Sequence, residues 1–297
     1  METQKLKGII FVLFGAVSYG ILATIVKYAN TTGSHTSVLT FFQFFVGVIF
    51  LLCIYFFSKK DALPKPKSKA KLMLWGVALA LTSTLYYLAI QFIPVSVGIV
   101  LLMQSIWLSL ILEIFINRQF PSLIKCIGGV LAIAGTFIAT ELFSSELNLD
   151  WRGLVLGFGS GISYTLTIYA SSTVEKQYQN FVRSLYFVMG GLAFICLFWN
   201  IQIIENMSWE AAGWGTILAI FGTVLPPLLF TAGIPKTGIG VGSILSSVEI
   251  PVSILSASLI LSEQISWMQW FGVFIILISV VIVNLQSFKM NNDNVAK

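Results

Sequence analysis

Two stretches decide the fold: Gly8-Ile-Ile-Phe-Val-Leu-Phe-Gly-Ala-Val-Ser18-Tyr19 and, 145 residues on, Gly153-Leu-Val-Leu-Gly-Phe-Gly-Ser-Gly-Ile-Ser163-Tyr164. Each opens a long apolar run with the same Gly-x9-Ser-Tyr spacing. Working outward, the matches continue in order. Gly47 pairs with Gly191 at an offset of 144, and Gly98, Ser109 and Gly128 pair with Gly242, Ser253 and Gly272 at the same offset. Between them, Trp75-Gly76, Ala80 and Thr84 pair with Trp214-Gly215, Ala219 and Thr223 at 139. A series that keeps its order over five apolar runs indicates an internal duplication.

Composition names the solvent. Apolar residues make up 57% of the 297 and charged residues 10%, against about 45–50% and about 25% in a soluble domain. With a mean hydropathy of +0.91, the chain lacks the polar surface a water-soluble globule needs. A bilayer spanned by about 20 residues per helix accommodates ten runs: Gly8–Asn30, Thr36–Phe57, Leu72–Phe92, Val95–Ile116, Leu123–Phe143, Gly153–Ser172, Phe181–Asn200, Ala212–Gly233, Gly238–Leu261 and Trp267–Ser287. Uninterrupted apolar runs do not alternate as barrel strands do, so the expected class is an all-α integral membrane protein. Lys5 and Lys7 before the first run resemble a signal sequence, but the run is too long for one and reads as a retained helix.

Ten crossings place both termini on one side. Of the 17 Lys and Arg, all but Lys27 and Arg152 then fall on that side, including Lys59, Lys60, Lys65, Lys67, Lys69, Lys71, Arg118, Lys125, Lys176, Arg183, Lys236, Lys289 and Lys297. Glu141, Glu146, Asp150, Glu205, Glu210 and Glu263 gather on the other. The positive-inside rule makes the basic side cytoplasmic. The net charge of +5 is thus a topology signal, no nucleic-acid partner is implied, and the loop Ser58–Lys71 reads as a topology determinant beside the lipid headgroups.

Five spans per repeat is an odd number, so the second repeat enters the membrane from the opposite face. The expected organisation is a repeat at 8–143, an inverted repeat at 153–287, and a cytoplasmic tail at 288–297. Inverted halves can exchange conformations about a central site, which is what alternating access requires.

On these residues the chain resembles the drug/metabolite transporter superfamily, in particular its ten-helix members built from two EamA domains. The resemblance runs from about Gly8 to Leu285. Beyond the Gly-x9-Ser-Tyr openings it includes Val248-Glu249-Ile250-Pro251-Val252 and Leu261-Ser262-Glu263, nine residues before Gly272. In the first repeat Trp107 stands where Pro251 does, and Gln119 where Glu263 does. The resemblance implies an inner-membrane carrier of bacterial type that exports amino acids, other metabolites or drugs, usually in exchange for protons.

Charge inside a span is costly, about 2.5–3.5 kcal/mol at a helix centre on insertion scales, so each such group needs a reason. Glu249, near the middle of the ninth span, is the candidate coupling residue: ionising a carboxyl there is expensive, which suits a group that takes and gives a proton. Lys27 is expected to snorkel to the outer surface, and Glu113 to reach water or pair with Arg118. A pocket for a small amphipathic solute needs flat apolar walls and a few polar groups. Ser18, Tyr19, Gln43, Tyr86, Tyr87, Gln104, Trp107, Ser163, Tyr164 and Tyr169 are the available set, with Tyr164 and Trp107 foremost. Pro226-Pro227 and Pro251 are expected to kink or unwind the eighth and ninth spans and act as hinges.

Other classes fare less well. His35 is the sole histidine and lies in an outer loop, no HExxH occurs, and Cys53, Cys126 and Cys196 stand apart, so hydrolytic chemistry, a metal and a cofactor find no residues. The glycines of the sixth and ninth spans have no strand before them and are no phosphate loop. A receptor or assembly subunit leaves the inverted duplication unexplained. A lipid-linked sugar flippase or nucleotide-sugar exchanger remains an alternative within transport, although an anionic nucleotide wants central cations. A monomer and a homodimer both stay open.

Overall fold

The computed structural model describes residues 2–58, 64–93, 95–140, 150–261 and 265–295. Among the described residues there is helix and no strand. The helices are α1 (Glu2–Thr31), α2 (Thr36–Phe57), α3 (Pro66–Phe92), α4 (Val95–Leu102), α5 (Ser105–Asn117), α6 (Leu123–Ala139), α7 (Trp151–Thr173), α8 (Asn180–Trp199), α9 (Ile201–Glu205) and α10 (Trp209–Leu218). A π-helical turn, Ala219–Val224, leads into α11 (Leu225–Thr237), followed by α12 (Ile239–Ser246), α13 (Glu249–Leu261) and α14 (Trp267–Val295). Eight stretches are long and apolar enough to cross a membrane, and the shorter apolar helices Leu123–Ala139 and Trp267–Val283 complete the ten expected. Phe14, Leu74, Phe115, Leu197 and Leu259 point outward and are more than half exposed, a surface suited to lipid. Of the charges assigned to loops, Lys59, Lys60, Glu141, Glu146, Glu263 and Lys297 lie outside the described residues, as does the expected end of the fifth span at Phe143. The segment read as a tail continues helix α14 as far as Val295.

Packing divides eight spans into two bundles, each taking two spans from either repeat. One holds α1, α2, α10–α11 and α12–α13; the other holds α3, α4–α5, α7 and α8. They meet where α2 packs on α8, α11 on α7 and α12 on α5, while α6 and α14 pair with each other at the side. Each bundle is stitched by the same bond. Ser18 Oγ donates to the Phe221 carbonyl at 2.8 Å in one, and Ser163 Oγ to the Ala78 carbonyl at 2.8 Å in the other.

That symmetry corrects the offset of 139 read from the Trp-Gly pairs. Phe221 lies 143 residues after Ala78, and α11 ends at Thr237, 145 after the end of α3 at Phe92. Likewise Gly191 packs on Ala80, and its counterpart Gly47 packs on Thr223, 143 further along. The Trp-Gly matches are therefore one helical turn out of spatial register, four residues being close to the 3.6 of one turn.

The proline expectations are also redrawn. Pro226 and Pro227 cannot donate to the carbonyls of Gly222 and Thr223, and the deviation lies just ahead of them as the π turn. Pro251 falls in the first turn of α13, where a missing N–H costs little. The ninth span breaks before it, at Ser247–Val248, and the fourth breaks at the equivalent Met103–Gln104 with no proline present. Side chains take up the carbonyls the breaks release. Gln104 Nε2 donates to Val100 O at 2.9 Å, while Ser246 and Ser247 donate to Ser243 O and Ile244 O at 2.7 Å.

Helices α3 and α8 approach very closely at two glycines: a Cβ at Gly190 would land on the Met73 carbonyl and one at Gly76 on that of Phe187. Small residues permit such approaches in membranes. Gly190→Ala is therefore expected to lower stability by about 1–3 kcal/mol, the range for overpacking, read as a lower melting temperature in detergent. Gly213→Ala, with nothing within 4 Å of its Cβ, is expected to be neutral or mildly stabilising. Equal melting of the two variants would contradict this packing.

Candidate functional site

A cavity lined by residues of both bundles opens between them. Tyr19 and Leu22 of α1 and Glu249 of α13 line one wall; Leu79, Thr82, Ser83, Tyr86 and Tyr87 of α3, Leu102 of α4 and Tyr164 of α7 line the other. On α3 the lining runs from Leu79 to Tyr87, and Tyr19, Tyr164 and Glu249 stand near the middles of their own spans, so the cavity lies about midway along the bundles.

Glu249 reaches this wall because the ninth span breaks immediately before it, making it the first residue of α13. It is buried, as is Tyr164. The Tyr164 hydroxyl lies beside the Glu249 carboxyl, without the geometry of a hydrogen bond. Tyr86 Oη, Tyr164 Oη and Glu249 Oε2 all have no hydrogen-bond partner among the described residues. Buried polar atoms are seldom left so, and all three belong to residues that line this cavity. Tyr87 Oη donates to Gln43 Oε1 at 3.3 Å, and the Tyr19 ring meets that of Tyr164 edge-on at 6.1 Å.

Of the residues singled out from sequence, the cavity brings together Tyr19, Tyr86, Tyr87, Tyr164 and Glu249. Gln43 stands behind Tyr87, fully buried. Ser18 and Ser163 make the bonds within the bundles. Trp107 Nε1 donates to Gln104 Oε1 at 2.7 Å beside the α4–α5 break, and the Tyr169 ring packs on Trp75 at 5.1 Å. Lys27 sits near the end of α1, away from the lining. Leu22, Leu79, Thr82, Ser83 and Leu102 escaped the sequence reading; the polar run Thr82-Ser83-Thr84 beside Tyr86-Tyr87 was the available signal.

Two charged groups depart from expectation on the basic side. Glu113 pairs with Lys125 at 2.8 Å instead of Arg118, which is exposed at the left-handed C-cap of α5. The Glu113 carboxyl is buried against Gly240, in the first turn of α12, where a helix N-terminus favours negative charge. Arg183, counted with the loop cations, is 1% exposed. Its Nε donates to Val174 O at 2.9 Å, Nη2 to Ser171 O and Ala170 O at 2.7 and 3.1 Å, and Nη1 to Thr231 O at 3.0 Å. The carbonyls of Ser171 and Val174 are left over where α7 ends, and that of Thr231 is released because Pro235, four residues on, has no N–H to give it. Ser184 Oγ and Thr231 Oγ1 lie 3.1 Å apart in the same contact. Arg183 and Glu113 thus both reach across from one bundle to the other.

Two segments of the chain, residues 6–140 and 151–285, each match the EamA-like transporter family. The chain belongs to the EamA-like transporter family. This EamA-like transporter is 24% identical over 219 residues to an uncharacterized transporter of Synechocystis, sll1319, across 71% of its own length and 65% of that protein's. It is 23% identical over 214 residues to the threonine/homoserine exporter RhtA of Escherichia coli, across 72% of its own length and 68% of RhtA. The aligned region spans about two thirds of these relatives. A solved crystal structure superposes on it with a TM-score of 0.77 at 14% identity, covering 98% of this chain and 99% of the other, which speaks to the fold.

Proposed function

We propose that the chain is a secondary carrier that exports an amino-acid-sized or aromatic amphipathic solute across a bacterial inner membrane by alternating access, driven by protons. The observation that carries this reading is a cavity between two bundles of mixed repeat origin, lined by Tyr86, Tyr164 and Glu249, each of which has a buried polar atom without a partner among the described residues. A solute supplies the missing partners, and Glu249 exchanges the proton. The bundles rock against each other, opening the basic side once the contacts of Arg183 and Glu113 part. The π turn before Pro226-Pro227 and the break before Pro251 are the flex points. Family membership supports transport, the name of the RhtA relative supports an amino-acid-sized cargo, and the lysine distribution supports cytoplasmic termini. A nucleotide-sugar exchanger is disfavoured because no described lining residue is basic.

The test is solute uptake by vesicles containing the purified chain, with and without an imposed pH gradient, over a panel of amino acids, aromatic amphiphiles and sugar conjugates. Gradient-stimulated movement of at least one amino acid or amphiphile is expected. Movement of none would return the chain to a receptor or assembly role.

A further inference from the structure

We infer that the solute carries an ammonium group, held by Glu249 inside a wall of Tyr19, Tyr86, Tyr87 and Tyr164; this deepens the carrier reading above and rests on it. The charge inventory of the cavity is the starting point. Glu249 is the one charged residue among the described lining residues, and Arg183 and Lys125 have other work. Arg183 donates to four carbonyls, and Lys125 is held by Glu113 on the basic side. An anionic solute would enter against the carboxylate with no cation to receive it, whereas a cationic one offsets the buried charge whenever Glu249 has given up its proton.

An ammonium meets that charge, and the remaining wall fits it. Tyrosine faces attract cations through their quadrupole, and the attraction grows when water is excluded. The rings of Tyr19 and Tyr164 stand edge-on at 6.1 Å, and those of Tyr86 and Tyr87 are tilted at 6.2 Å, so their surfaces face different directions around the carboxyl. Glu249, Tyr86 and Tyr164 each bring to this wall an oxygen with no hydrogen-bond partner among the described residues, and an ammonium donates to such acceptors. Leu22, Leu79 and Leu102 offer the apolar surface for the solute's body, and Thr82 and Ser83 add hydroxyls to the lining.

The experiment is calorimetric titration of the purified full chain in detergent with matched trios of compounds. Each trio contains a primary amine, its N-acetyl derivative and the carboxylic acid of the same skeleton, built on a short hydroxylated, a branched aliphatic and an aromatic body. In at least one trio the amine is expected to bind roughly tenfold or more tighter than the other two. Glu249→Gln is expected to abolish that preference, and Tyr164→Phe to weaken it while melting like the parent. Amines without advantage on all three bodies, or acids that bind best, overturn the inference. Vesicle uptake separates the two readings: if an uncharged or anionic solute is carried, the ammonium assignment falls and the carrier stands; if nothing is carried, both fall.

Discussion

Glu249→Gln is expected to cut proton-driven flux by roughly 100-fold, equivalent to about 3 kcal/mol, the scale on which one partner of a buried charged pair is felt. Glutamine keeps the size and planar shape of the side chain and can still lie beside Tyr164, but it cannot give up a proton. Because Glu249 Oε2 has no hydrogen-bond partner among the described residues and glutamine keeps the other oxygen, the substitution is expected to leave folding intact. The melting temperature in detergent should stay within a few degrees of the parent. Flux driven by the gradient at the parent rate would remove Glu249 from coupling altogether, whereas a large drop in melting temperature would assign it to structure.

Arg183→Met is expected to be the most destabilising of the substitutions considered. Methionine fills the volume but donates nothing, leaving the carbonyls of Ser171, Val174 and Thr231 without the guanidinium. Hydrogen bonds to a charged group are worth about 1.5–3 kcal/mol each. Their losses overlap, so about 4 kcal/mol is a reasonable total, or roughly 10 °C in melting temperature. The origin of the Thr231 contact supplies an internal check. Pro235→Ala restores an N–H four residues after Thr231, and in that background Arg183→Met should cost about 1 kcal/mol less. Additive effects would mean that Pro235 is not what frees that carbonyl, and parent-like melting of Arg183→Met would remove its clamping role.

The two residues also mark where sequence reading succeeds and where it stops. A carboxyl in mid-span announces itself, because nothing else about an apolar run calls for one. Arg183 gave no such notice: three residues into a span and next to a loop, it was indistinguishable from a snorkelling cation, and its burial follows from the end of α7 and from Pro235, far along the chain. The tyrosines of the cavity were visible as polar groups in spans. Leu79 and Leu102 were not, since their place in the lining depends on how α3 and α4 are rotated against their neighbours. The break at Met103–Gln104 has no proline to betray it, and only its partner in the other repeat, beside Glu249, makes sense of it. The Trp-Gly pairs misled in the opposite way, being a true likeness of sequence one turn away from the likeness in space.

Each bundle borrows two spans from either repeat, and this bears on how the protein is made. When the first five spans have left the ribosome, α3 presents Gly76 and the Met73 carbonyl to a partner, α8, that begins about a hundred residues later. One bundle is complete only when the seventh span arrives and the other only when the ninth does, so the first repeat must wait in the lipid with its α3 packing surface unmatched. A nascent chain arrested before α8 would be an early substrate for membrane quality control, and the two repeats expressed as separate polypeptides would have to find each other before either could hold its shape.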